Sequence, residues 1–349
     1  MKANFNIFRY LAAFVPACLA IAGNLFGGNY VFMPIIYGLV ILQLLDFLLP
    51  EDKTDPDLQT SDILSTALLV GSVIFHTFAI GTLLFGIYSG TLSGVFIWVA
   101  AVGSGINSGI SGITVAHELI HRKESSLRNL GIWNLLLVNY THFYVEHIKG
   151  HHRYVGTSKD PATAKFGESI YTFLARTVTG QFKSAYQIES SRLLKIDKPA
   201  FSLSNFVIKS LLAQLFVAIS VFYVFGGIAL AAYLLQSLVA IFLLEIVNYF
   251  EHYGLVRAEN EKFGPEHAWQ SNLTPSRYTL VELSRHSDHH LKASKHYQTL
   301  VSHAESPKMP TGYFGSYYLA LIPPLWFKIM NPILEEHYLK IKSRNPLEV

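Results

Sequence analysis

Six apolar runs, about 7–26, 30–49, 63–87, 91–116, 206–225 and 228–248, restrict this chain more than any other feature. Each is close to or longer than the ~20 residues a helix needs to cross a bilayer core of ~30 Å. In lipid a spanning segment must satisfy its own backbone N–H and C=O groups, and these runs can do so as helices. They come in pairs joined by short turns, Gly27-Gly28-Asn29, Tyr88-Ser89-Gly90 and Gly226-Gly227. The expected fold is an all-α integral membrane protein with six transmembrane helices in three hairpins. Composition agrees, since 15% of the residues are charged against roughly 25% in soluble domains. Lys2 and Arg9 ahead of apolar residues, with Ala20-Ile21-Ala22 following, resemble a cleavable leader. A turn and a second apolar run follow at once, so a retained hairpin is expected.

Basic residues set the orientation. Between Tyr10 and His121 the only one is Lys53, in the acidic connector from Glu51 to Asp62, and the turns inside the hairpins carry none. By the positive-inside rule both termini and the polar segments 117–205 and 249–349 face the cytoplasm. Those segments are expected to fold as a helical cap. Within them Asn129 to Val145 is apolar enough to lie on the membrane, and 313–330, broken by Pro323-Pro324, reads as an interfacial or re-entrant piece. No repeat or flexible linker interrupts the chain, which reads as one domain over 1–349. No nucleic-acid partner is expected. The single cysteine, Cys18, excludes a disulfide framework and any centre held by several thiolates, and is expected to be a packed thiol.

Four stretches on the cytoplasmic side carry nine histidines: His117-Glu118-Leu119-Ile120-His121, Glu146-His147-Ile148-Lys149-Gly150-His151-His152, Asn248-Tyr249-Phe250-Glu251-His252, and Arg285-His286-Ser287-Asp288-His289-His290. In a regular helix His147 and His151 share a face and His152 leans aside. The first stretch matches the zinc-protease pattern, yet a protease would leave six clustered histidines unused. A metal transporter would place its ligands near the bilayer midplane, on broken helices. Nine imidazoles suit two ions rather than one, and nitrogen-rich ligation without thiolate fits iron, copper or zinc. Two redox-capable ions in a membrane protein suggest O2 activation on a lipophilic substrate. An acid stands in each stretch, Glu118, Glu146, Glu251 and Asp288. These are expected either to orient imidazole N–H groups and offset metal charge or to pair with Arg122, Lys149 or Arg285. His76, in the middle of a span, is a further candidate for function or for a hydrogen-bonded packing role.

The motifs HELIHRK, EHIKGHH, NYFEHYGL and RHSDHH resemble those of the membrane alkane 1-monooxygenase family, within the fatty-acid desaturase and hydroxylase superfamily. The resemblance implies a nonheme enzyme with two iron ions that hydroxylates the terminal methyl of medium-chain alkanes. It would use O2 and two electrons from rubredoxin, itself fed by rubredoxin reductase. It implies as ligands His117, His121, His147, His151, His152, His252, His286, His289 and His290. Ile120 and Arg122, and the run Leu291 to Gln298, depart from the common pattern and leave the substrate open, with methyl groups of xylene- or cymene-type aromatics as the alternative. There is no Cys-x-x-Cys in the chain, so its electrons must come from another protein. Arg122, Lys123, Arg128, Lys149 and Arg153 are the expected docking cations, steered by charge. The small-residue run from Gly103 to Gly112 invites two readings. One is close helix packing; the other is a substrate tunnel using the missing volume of Gly105, Ser108, Gly109 and Gly112.

Overall fold

A computed structural model describes residues 7–55 and 62–344. Lys2 and residues 56–61 of the acidic connector, used in the readings above, lie outside the described residues. Regular structure among those described is helical, with two isolated bridges, Glu51 to Leu273 and Gln270 to Lys308. Six helices are long and apolar enough to span: α1 (Ile7–Phe26), α2 (Gly28–Leu48), α3 (Asp62–Tyr88), α4 (Val95–Ile120), α8 (Phe206–Phe225) and α9 (Gly227–His252). The chain is a multi-pass membrane protein.

Two spans differ from expectation in a way that matters for the site. Helix α4 starts at Val95, four residues later than the apolar run, because Gly94 at φ +56° breaks the entry. It then continues to Ile120 and carries His117 on its last turn. Helix α9 extends past Asn248 to His252, since Tyr249, Phe250, Glu251 and His252 are all buried and the helix satisfies their backbone. Between the spans lie α5 (Ser125–Leu137), α6 (143–154) and α7 (Ile170–Leu194). After them come α10 (Thr274–Thr279), α11 (His286–Leu291), α12 (Tyr313–Ala320) and α13 (Pro323–Arg344). Pro323 and Pro324 open α13, where the missing N–H groups cost nothing, and so separate it from α12 as the sequence suggests.

The long core joins α9 to the segments after it: Phe250, Trp269, Tyr313, Phe314 and Trp326 are buried in one apolar cluster. Close approach of α4 to α9 depends on glycine. A Cβ on Gly105 would lie 2.6 Å from Val239 Cβ, and one on Gly109 would lie 2.8 Å from Leu243 Cδ1. Cys18 is exposed on the outer face of α1, contrary to the packed thiol expected. Its neighbours Ala17 and Ala20 take the inward positions.

Candidate metal centre

All four histidine stretches meet at one end of the bundle. His117 on α4, His121 just beyond it, His147 on α6 and His289 on α11 bring ring nitrogens within 4.8 Å of one another. His151 on α6, His252 at the end of α9, and His286 and His290 on α11 form a second group of four under the same limit. His152 lies between them: its Nε2 is 3.0 Å from His147 Nε2 and 3.1 Å from His289 Nε2, and its ring stacks on His290.

The division of α6 between the two groups departs from the regular-helix reading. Residues 147–151 form a π-turn, which widens the helix by one residue per turn. His147 therefore aligns with His152, five residues on, and His151 swings to the other group. A second π-turn at Ser108–Ile113 shifts the register of α4 just ahead of His117.

Donor chemistry fits metal. Nε2 atoms of His147 and His121 stand 3.0 Å apart, as do those of His252 and His286, while His290 and His286 are 2.9 Å apart. His117 Nε2 is buried without a hydrogen-bond partner. Imidazole lone pairs converging in this way repel one another unless a cation stands among them. Burial, reinforced by neighbouring imidazoles, holds His147, His286, His289 and His290 well below the usual histidine range, so they are neutral and can ligate. Two outward nitrogens find oxygen: His151 Nδ1 is 2.9 Å from Asp160 and His252 Nδ1 is 3.4 Å from the His267 carbonyl. His286 Nδ1, 3.4 Å from Glu251, is buried without a hydrogen bond. Donation from Nδ1–H leaves Nε2 as the ligating atom.

The four acids sort into different roles. Glu118 pairs with Arg122 at 2.9 Å and accepts from the Tyr297 N–H, so it touches an arginine and no imidazole. Asp288 is held by Lys295 (2.5 Å), His303 (2.9 Å) and the Val301 N–H (2.8 Å). Glu251 accepts from the Tyr313 hydroxyl at 2.8 Å and faces His286. Both oxygens of Glu146 are buried without a partner. Burial, with Asp160 and Glu245 nearby, raises its carboxyl well above the usual range. The sequence reading missed Asp160. It is buried, accepts from Thr163 at 2.6 Å and from the Ala162 N–H, and holds His151. Nothing marks it in the sequence beyond an Asp before a proline. Also unforeseen is the clamp under α11: Arg277 grips Glu282 at 2.7 and 2.8 Å, and Tyr10 donates to the same carboxylate at 2.8 Å. This fastening holds Val281 and Glu282 at φ +50° and +59°, a conformation that side chains rarely adopt.

A mainly apolar cavity of about 20 Å³ reaches His117, His147 and His286. Its walls include Gly109, Phe143, Leu243, Val247, Leu280 and Leu283. Of the four small residues offered for a tunnel, only Gly109 reaches it. Gly105 packs on Val239, Gly112 on the His76 ring, and Ser108 joins His76 (3.0 Å) to Gln236 (2.8 Å). Among the docking cations, Lys123 and Arg153 are exposed and Arg128 is half-buried. Arg122 is buried on Glu118, and Lys149 pairs with Glu189 at 3.1 Å.

Residues 89–318, which include every histidine stretch, match the family model for fatty acid desaturase. Alkane 1-monooxygenase 1 of Pseudomonas aeruginosa is 37% identical over 313 residues, 84% of this chain and 80% of that one. Alkane 1-monooxygenase 2 of Alcanivorax borkumensis is 36% identical, over 85% of this chain and 81% of that one. The xylene/toluene monooxygenase hydroxylase component of Pseudomonas putida is 29% identical, over 92% and 86%. With its two groups of histidines at one end of six spans, this chain is a membrane monooxygenase that belongs to the alkane 1-monooxygenase family.

Proposed function

We propose that the protein hydroxylates the terminal methyl of medium-chain alkanes at a centre of two iron ions, using O2 and two electrons from rubredoxin. The observation that carries this reading is the narrow, mainly apolar cavity lined at one side by His117, His147 and His286. An alkane offers nothing to hydrogen-bond, so the carbon that reacts must be chosen by shape. A volume of about 20 Å³ has room for about one water-sized group, which suits a methyl terminus and stops the chain behind it. Iron bound there would supply the redox chemistry that activates O2.

His117, His121, His147 and His289 would hold one ion, and His151, His252, His286 and His290 the other, with His152 reaching toward both. Asp160 fixes the His151 ring and the His267 carbonyl the His252 ring, while Phe143, Leu243, Leu280 and Leu283 exclude water from the reacting carbon. The donor would dock at the half-buried edge formed by His121 and His152, near exposed Lys123 and Arg153. The reading puts both termini on the cytoplasmic side of a bacterial inner membrane, as the basic residues suggest.

Gas chromatography of products from cells co-expressing the protein, a rubredoxin and its reductase tests the reading, with octane, hexadecane and xylene offered in parallel. 1-Octanol is the expected product. Turnover of xylene with no alkanol formed would favour the aromatic methyl group instead.

A further inference from the structure

A second cleft, of about 520 Å³, opens at the foot of α8. It lies at the histidine end of the bundle, because α9 runs antiparallel to α8 and finishes there at His252. Four cations line it: Lys149 from α6, Arg192 from α7, Lys198 from the loop after α7, and Lys209 from the first turn of α8. One carboxylate, Glu189, faces them and is already engaged. It accepts from Lys149 at 3.1 Å, from Arg192 at 3.0 and 2.8 Å, and from the Phe206 N–H at 3.2 Å. Lys198 and Lys209 make no ion pair among the described residues. Asp197, the other acid nearby, does not line the cleft.

The surroundings are apolar and uncovered. Leu194, Ile196, Phe201 and Leu203 are 63%, 52%, 82% and 69% exposed beside the lysines. Since α8 enters the membrane at Phe206, this border of cation and hydrocarbon stands at head-group depth. A free anion would answer the lysines and leave four large side chains in water, whereas an amphiphile answers both.

We infer that the cleft binds an anionic phospholipid, its phosphate on Lys198 and Lys209 and its acyl chain along Leu203 and Phe206. Lys149 stands in the π-turn between His147 and His151, so the bound lipid braces α6, α7 and α8 together.

The test uses the metal-loaded protein in nanodiscs of phosphatidylcholine and phosphatidylglycerol, with lipids retained after stepwise delipidation counted by native mass spectrometry. Phosphatidylglycerol should be retained in preference. K198Q/K209Q should lose about thirty-fold of that preference, at about five-fold for each cation near a membrane surface. K198Q alone, on an exposed loop where folding is not at stake, should lose about five-fold. K340Q/K342Q, which removes the same charge on α13, should keep the preference. Equal retention of both lipids by the unaltered protein, or unchanged preference in K198Q/K209Q, would overturn the inference. So would displacement of the lipid by millimolar inorganic phosphate, which would mark a free-anion site, or equal loss in K340Q/K342Q, which would mark diffuse charge. Binding of an acidic partner protein that K198Q/K209Q abolishes, without change in lipid retention, would also overturn it.

Discussion

Leu243→Ala is the substitution that most directly questions a shape-selected substrate. Leu243 lines the cavity on α9 and is 8% exposed, with its Cδ1 only 2.8 Å from where a Cβ on Gly109 would stand. Removing its end enlarges a space of about 20 Å³ and lets an alkyl chain advance by about one carbon past the stop. One methylene in an apolar site is worth ~1–3 kcal/mol, or 10–200-fold in discrimination. The share of 2-octanol in the products from octane should therefore rise at least about ten-fold. The fold should lose ~2–5 kcal/mol, the usual cost of a buried Leu→Ala change, so metal content and thermal unfolding must be measured on the same preparation. Leu215→Ala, on the lipid-facing side of α8 where Leu215 is 56% exposed, should leave the product ratio unchanged. A folded, metal-replete Leu243→Ala protein with the parent ratio of 1-octanol to 2-octanol would refute selection by this wall.

Purified protein should contain about two irons per chain, and alanine at any of the nine histidines should abolish turnover while His337→Ala stays active; active protein holding zinc alone would end the iron reading. Asp160→Asn should weaken metal affinity ~10–100-fold by freeing the His151 ring, and chelator competition that detects no difference would remove Asp160 from the site. Burial raises the Glu189 carboxyl, but bonds from Arg192, Lys149 and the Phe206 N–H outweigh it and bring it from 4.5 to about 2. A depressed carboxyl stabilises the fold above its unfolded value and loses that contribution as pH falls through its folded one. Melting temperature should therefore drop between pH 4.5 and about 2, and E189Q should flatten that drop; identical profiles would show that the clamp does not matter. Rubredoxin-dependent turnover should fall with added salt and be reduced in K123Q/R153Q, and rates insensitive to both would exclude charge-steered docking.

Much of the architecture was legible because lipid imposes a one-dimensional rule. A run of ~20 apolar residues must be a helix wherever it spans, and 7–26 and 206–225 coincide with α1 and α8. Spacing and kind also made the histidine stretches visible, since imidazoles at His-x3-His and His-x2-His-His are poor core material. Less visible were the ends of α4 and α9. Hydropathy falls at Ala116 and Asn248, but the helices run on to Ile120 and His252 because the polar residues there are buried by the segments after them.

What the sequence by itself determined was therefore the six-helix membrane fold and the identity of the residues that meet at one end of it. Which histidine faces which group was decided only in three dimensions. A π-turn at 147–151 gives His147 and His151 to different groups although their rings stack, and nothing in helical periodicity signals that extra residue. The sorting of the acids is tertiary as well. Glu118 and Asp160 each lie close in sequence to a histidine, yet one faces Arg122 and the other His151. The same holds for Gly105 and Gly109, alike in sequence. Both pack on α9, Gly105 on Val239 and Gly109 on Leu243, but only Gly109 also lines the cavity beside His117. Periodicity reports the face a residue takes on its own helix, but what stands opposite depends on how neighbouring helices pack.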